Sequence, residues 1–412
     1  MRPTRRIFNQ AHGFMSAYWV QVLIWLLAGG SVLLSIWIVL PAPTRFLLPL
    51  GVVMPEVSPW LVALSGISLV AVLFTQSQAK LASLALVFAL LLSLLPLIQF
   101  PAANARMATE MQSVLGSDYL SQIPRSLQGR MRSHSFQLQD IWGGIALAPI
   151  SIERGLVFAE PDGVPLKLNV YRPTTASNYP TLVIIYGGAW QGGTPNSHET
   201  FSRYIAAQGY TVVAIDYRHA PQYLFPSQLE DVQTALTYLK LHAAALGIDL
   251  TRLALMGRSA GAQLATIAAY QQSQSLPIRA VINYYGPVDL RAGYDHPPVP
   301  DPIEARTVLK AFLGGSPDQV PDLYRQASPI HYVRPHLPPT LLVYAGRDHV
   351  VEPRFGRQLQ SQLQVKGNQA VLIEVPWSEH AFDLLFNGVG NQMALYYTER
   401  FLAWALYSRF EN

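Results

Sequence analysis

There is no cysteine among the 412 residues, which excludes a disulfide framework and a thiol nucleophile and fits an exported domain. Charge is scarce as well: Asp, Glu, Lys and Arg make up 13% of the chain, against roughly 25% in soluble globular proteins. The excess of base, 29 residues against 25 acidic, contains no basic run longer than Arg5-Arg6 and accompanies no nucleic-acid motif. A net charge of +4 therefore speaks to topology and lipid headgroups rather than to nucleic acid. None of the ten histidines falls in HExxH or other metal-ligand spacing, so no metal is expected. Internal repeats are also missing.

What fills the space left by charge is apolar sequence at the N-terminus. Residues 17–40 carry no charged side chain and are long enough to cross a bilayer as a helix. Two shorter uncharged runs, residues 59–75 and 81–98, are joined by the polar Gln76-Ser77-Gln78-Ala79-Lys80. Three membrane helices are expected, the last two as a hairpin. A cleavable signal peptide behind Arg2, Arg5 and Arg6, or soluble core helices over residues 59–98, are the alternatives. The length of the first run, and Lys80 as the single charge of the second region, disfavour both. Arg2, Arg5, Arg6 and Lys80 would lie on one side, with Arg45 and Arg106 on the other. The positive-inside rule then gives a multi-pass protein with a cytoplasmic N-terminus and everything after residue 100 outside.

Three segments follow from this: a membrane region, residues 1–100; a linker or cap, residues 101–150; and a domain over residues 151–412. In the middle segment, residues 104–115 set Met107, Met111 and Leu115 on one helical face. An interfacial helix with a linker and a cap over the active site remain alternatives.

From about residue 151 short apolar runs alternate with amphipathic ones. Strands are expected at residues 166–171, 181–186, 211–216, 252–256, 280–285, 340–345 and 371–375, most of them continuously apolar, as parallel strands covered on both faces are. Helices are expected at residues 201–208, 229–245 with Gly247 closing the last turn, 354–365 and 392–407. The fold class is α/β, a mostly parallel sheet with helices on both faces and ligands at the carboxyl ends of its strands.

The motif Gly257-Arg258-Ser259-Ala260-Gly261 stands where an expected strand gives way to an Ala-rich helical run. A serine held at the tip of a tight strand-to-helix turn occupies strained backbone, and larger neighbours would collide with the adjoining chain. Such a turn presents the hydroxyl above the sheet as a nucleophile. After the next-to-last strand comes Gly346-Arg347-Asp348, and after the last comes Ser378-Glu379-His380. His380 would take the Ser259 proton, and Asp348, preferred over Glu352 by its place at a strand end, would orient the imidazole. His198, His219, His242, His331 and His336 are read as structural or solvated. Residues 181–185 run into Tyr186-Gly187-Gly188-Ala189-Trp190, a small-residue loop whose Gly188 and Ala189 amides, with that of Ala260, are the expected oxyanion donors. A phosphate loop is excluded by the missing GxGxxG and GK[ST] patterns.

These motifs, with Asp216-Tyr217-Arg218-His219-Ala220-Pro221, Phe225-Pro226 and Glu230-Asp231-Val232, make residues 151–412 resemble the esterase/lipase branch of the α/β-hydrolase superfamily, similar to hormone-sensitive lipases and carboxylesterases. The resemblance implies an α/β-hydrolase fold and a serine esterase without a cofactor; the expected substrate is a small-molecule or lipid-like ester, the lipid-like character following from the membrane region. It also implies a variable lid, here over residues 291–326. Where that branch has histidine before the oxyanion glycines this chain has Tyr186, a residue expected at the pocket with Trp190. An acyltransferase, an amide or formamide hydrolase, and a catalytically silent binding protein are the alternatives on the same fold.

Overall fold

The computed structural model describes residues 4–74, 80–175, 177–271 and 276–407, with side chains from residue 18 onward. Helix α1 (Thr4–Ser35) ends in a short turn at Ile36–Ile38, and a loop leads to α2 (Leu48–Glu56) and α3 (Ser58–Phe74). Between α2 and α3 the chain bends by 77°. Pro59, at the start of α3, offers no N–H to the preceding turn, so the helical ladder of α2 does not continue through it. Helix α4 (Lys80–Leu115) follows. Two stretches, Tyr18–Ile38 and Lys80–Leu115, are long and apolar enough to cross a membrane, and a third is counted only if α2 and α3 form one bent span. Of the three expected helices, the first and last fall in these two stretches, and the middle one, residues 59–75, falls in α3, which reaches span length only together with α2. Residues 75–79, which hold most of the polar joint Gln76 to Lys80, lie outside the described residues, as does Arg2.

Helix α4 runs on without a break across residue 100. Its Ala103, Met107, Met111 and Leu115 are buried in the same core as the sheet, and it packs on the last strand and on the C-terminal helix Val389–Tyr407. Residues 104–115 thus continue the long apolar helix onto the domain instead of forming a separate element. Among the described residues, none from 101–150 lines the cavity that holds Ser259.

The domain is built on eight strands: β1 (Ile150–Ala159), β2 (Leu166–Pro173), β3 (Tyr179–Ile185), β4 (Thr211–Ile215), β5 (Ile248–Arg258), β6 (Ile278–Tyr284), β7 (Thr340–Ala345) and β8 (Ala370–Val375). They lie in the order β1-β2-β4-β3-β5-β6-β7-β8. Strand β2 is antiparallel to β1 and β4, and the remaining pairs are parallel. Every residue of β4 and β7 is buried, as strands covered by helices on both faces must be. The mostly parallel sheet agrees with the expected α/β class. β1 lies outside the sequence expectation because it is a half-exposed edge strand interrupted by Glu153, Arg154 and Gly155, which blunts any apolar signal.

Candidate active site

Ser259 stands between β5 and the helix Ala260–Gln271 with φ of +50°, a left-handed conformation that costs a non-glycine residue about 1–3 kcal/mol. Two glycines make the turn possible. A Cβ on Gly257 would lie 2.1 Å from the Gly261 carbonyl oxygen, and one on Gly261 would lie 2.2 Å from that of Ile185. Strand, helix and the neighbouring β3 therefore close to a distance that no side chain permits, and the Ser259 hydroxyl is left at the carboxyl end of the sheet.

Two loops bring partners to it. His380, after β8, places Nε2 3.0 Å from Ser259 Oγ, and its Nδ1 lies 2.8 Å from Asp348 Oδ2 in the loop after β7. The other Asp348 oxygen accepts from the Val350 and Val351 amides at 2.8 and 2.7 Å. With the carboxylate as acceptor at Nδ1, that nitrogen carries the proton and Nε2 is free to accept from the serine; this tautomer is assigned from the hydrogen bonds. Burial pushes the His380 imidazole down, but the charge and hydrogen bond of Asp348, with Glu379 and Asp383, outweigh it and the net shift is upward. Burial raises the Asp348 carboxyl, opposed by His380 and the Val351 amide. Glu352 is not part of this chain of contacts; it accepts from Arg354 at 2.7 Å. His349 turns away to Glu379, 2.6 Å from its Nδ1, and that hydrogen bond raises its pKa.

The small-residue loop after β3 packs directly on the serine turn, since a Cβ on Gly187 would come within 2.7 Å of the Arg258 carbonyl oxygen. Gly188, Ala189 and Ala260 line one cavity with Ser259 and His380. Tyr186, expected at the pocket, does not line it. Its hydroxyl donates to Asp216 Oδ1 at 2.5 Å and stands 2.9 Å from His219 Nε2, while its ring stacks on Tyr217 at 4.5 Å. The phenol is drawn inward because Asp216 offers a half-buried acceptor, so Tyr186 braces the loop from behind. Trp190 lines the cavity and also fills the core, stacked on Phe312 at 4.0 Å with its N–H donated to Gln263 at 3.0 Å.

The cavity measures about 630 Å³, the size of a small-molecule site. Its walls include His296, Val308 and Leu309 from the region expected as a lid, Leu290 just before it, and Arg45 and Leu48 from the loop and helix after α1.

Beneath the site lies a buried cluster that the sequence motifs do not reveal. Arg258 Nε donates to Asp383 Oδ2 at 2.5 Å, and its guanidinium lies over the Phe201 ring at 4.4 Å. The Tyr285 hydroxyl donates to the other Asp383 oxygen, and the Tyr285 ring meets His380 edge-on at 4.6 Å. Burial alone would raise the Asp383 carboxyl, yet Arg258, His198 and Tyr285 hold it below the ordinary carboxylate range. His198, read from sequence as structural or solvated, stands on the cavity wall, where burial and Arg258 push its pKa down to about 4. The one available signal was the pairing in type of Arg258, next to the serine, with an acid three residues beyond His380. Among the described residues no group of His, Asp and Glu is arranged to hold a metal.

The sheet and its serine turn define an α/β-hydrolase. Residues 168–363 match the BD-FAE family model. The chain is 32% identical over 223 residues to the esterase LipC of Mycobacterium tuberculosis, covering 50% of this chain and 54% of LipC. It is 31% identical over 239 residues to the probable carboxylic ester hydrolase LipM of the same organism, covering 54% of each chain. The chain thus spans about half the length of these curated relatives. Among solved structures, a bacterial heroin esterase superposes with a TM-score of 0.55 at 26% identity, covering 63% of this chain and 84% of that one. A hyperthermophilic esterase from Pyrobaculum calidifontis shares the fold, with a TM-score of 0.54 at 24% identity over 63% of this chain and 84% of its own. The chain is an α/β-hydrolase, similar to proteins named as esterases and carboxylic ester hydrolases.

Proposed function

We propose that this protein is a membrane-anchored serine hydrolase that cleaves carboxylic esters. The observation that carries the reading is the unbroken contact from Ser259 Oγ through His380 to Asp348 at 3.0 and 2.8 Å, inside a cavity with room for a substrate. Ser259 Oγ attacks the ester carbonyl carbon as its proton passes to His380 Nε2. The carbonyl π electrons move to oxygen, and the Gly188, Ala189 and Ala260 amides receive that oxyanion, each such donor lowering the barrier by about 3 kcal/mol. Collapse expels the alcohol, which leaves with the proton from His380. Water then repeats the sequence on the acyl-enzyme, releasing the acid and restoring Ser259. Asp348 stays ionised and holds the imidazole in the required tautomer. The names of the relatives, esterase and carboxylic ester hydrolase, favour an ester over an amide.

The anchor is the N-terminal helices, whose Leu23, Leu26, Ile67, Leu73, Leu84 and Leu91 are exposed, a surface suited to lipid and not to water. In this reading α2 and α3 together make one bent span, the chain crosses the bilayer three times, and the N-terminus lies in the cytoplasm with the hydrolase domain outside.

A fluorophosphonate that phosphonylates active serines tests the chemistry. Intact-mass and peptide analysis should find one adduct on Ser259, absent from Ser259→Ala and formed at least a hundredfold more slowly in His380→Ala. An adduct on another residue, or none, would contradict the reading.

A further inference from the structure

The cavity is not closed by the hydrolase domain alone. Arg45 and Leu48, seven and ten residues beyond Ile38, form part of its wall. Ile38 is the last residue of the apolar stretch Tyr18–Ile38. Seven residues reach at most about 25 Å, so the cavity wall is tethered close to the end of a membrane-crossing helix. A second link shortens that distance. Arg347, the neighbour of Asp348, donates through both terminal nitrogens to the carbonyl oxygens of Ile38 and Val39. A third fixes the histidine loop: Glu56, fully buried at the end of α2, accepts from Ser378 Oγ at 2.6 Å and from the Gly390 amide at 2.6 Å. The loops bearing Asp348 and His380 are therefore each bonded to the segment that joins the apolar helices.

The cavity mouth on this side has the surface of an interfacial element. Phe46, between the lining residues Arg45 and Leu48, is 88% exposed, and Leu384, itself a lining residue, is 64% exposed. Large apolar side chains held out beside an exposed arginine suit the boundary between acyl chains and headgroups, and water does not favour them.

Resting on the ester-hydrolase reading, we propose that the cavity opens onto the bilayer surface and draws its substrate from the membrane. That substrate is a lipid-like ester whose chain stays among the lipids while its carbonyl reaches Ser259. Phe46 and Leu384 dip into the headgroup layer. Arg45 faces the lipid phosphates, and the N-terminal region is a wall of the site as well as an anchor.

The cysteine-free sequence allows a direct test with the full chain in phosphatidylcholine vesicles. Spin labels are placed singly by Phe46→Cys and Leu384→Cys, with Leu241→Cys as the control. Leu241 is 76% exposed and ends a helix packed on β1, at the sheet edge opposite β8. Seven inter-strand steps of about 4.8 Å separate those edges. Labels at 46 and 384 should be relaxed by oxygen and protected from a water-soluble nickel complex, whereas the label at 241 should behave in the opposite way. Equal nickel accessibility at all three positions would overturn the proposal whether or not the protein is an esterase. In a second measurement, Phe46→Asp should lower turnover of a long-chain ester in vesicles at least tenfold relative to turnover of a soluble butyrate ester. An unchanged ratio would count against membrane delivery, while failure of the wild type on every soluble ester would count against the hydrolase reading instead.

Discussion

Glu56, at the bend between two N-terminal helices, accepts a hydrogen bond of 2.6 Å from the hydroxyl of Ser378, two residues before His380 and 322 residues away in sequence. The same carboxylate takes the amides of Gly390 and Asn391 at 2.6 and 3.3 Å. Three buried donors thus depend on one side chain outside the hydrolase domain. Because an orphaned buried donor costs about 1–3 kcal/mol, Glu56→Ala should lower the unfolding temperature of the solubilised protein and reduce kcat through the histidine loop. Thermal unfolding and steady-state assays on the same preparation check both. A variant with wild-type stability and kcat would show that this contact does not hold the loop.

The pH dependence of turnover follows from the upward shift of His380. The imidazole must be neutral to accept the serine proton, and its pKa is raised, so activity is lost as pH falls through a midpoint above the free imidazole value of about 6.5. Asp348→Asn removes the charge that raises it and leaves burial, which lowers it. The acid limb of kcat/KM should then move to lower pH while kcat falls by about 10²- to 10⁴-fold. A limb that stays in place in the variant would remove Asp348 from the relay.

Arg258 and Asp383 form a buried pair under the site. Removing either partner strands the other and should cost about 3–5 kcal/mol. Combining Arg258→Met with Asp383→Asn should cost less than the sum of the two single changes. Denaturant unfolding of the four proteins completes the cycle, and strict additivity would show that the pair is not coupled.

Glu399 on the C-terminal helix has its pKa raised from 4.5 to about 7, chiefly by burial. Its folded-state pKa is the higher one, so the folded protein binds the extra proton and stability falls as pH rises from about 4.5 to 7. The full loss across that window is on the order of 3 kcal/mol. Unfolding of wild type and Glu399→Gln between pH 4.5 and 8 should show a decline in the first that is smaller in the second.

The parallel strands are legible from sequence because burial on both faces leaves unbroken apolar runs, as in β4 and β7. The serine turn is legible because its glycines answer a local steric demand. Contacts between distant segments leave no such trace. Nothing near Glu56 announces Ser378, and only opposite charge types hint at Arg258 with Asp383, because each pairing exists only once the sheet has brought the loops together. Tyr186 illustrates the same limit. Its place before the oxyanion glycines is plain, but the direction of its hydroxyl is set by Asp216, thirty residues later. Helix α4 carries two prolines, Pro96 and Pro101, on either side of residue 98, where the expected membrane helix stops. Burial of Ala103, Met107 and Met111 against the domain keeps the helix going beyond them.

Hydrolysis of a chain-length series of p-nitrophenyl esters by the full-length protein, beside Ser259→Ala, tests the central claim most directly. The account expects turnover in the wild type for at least part of the series and a loss of about 10³-fold or more in the variant. Equal activity in both proteins, or none in either across the whole series, would contradict it.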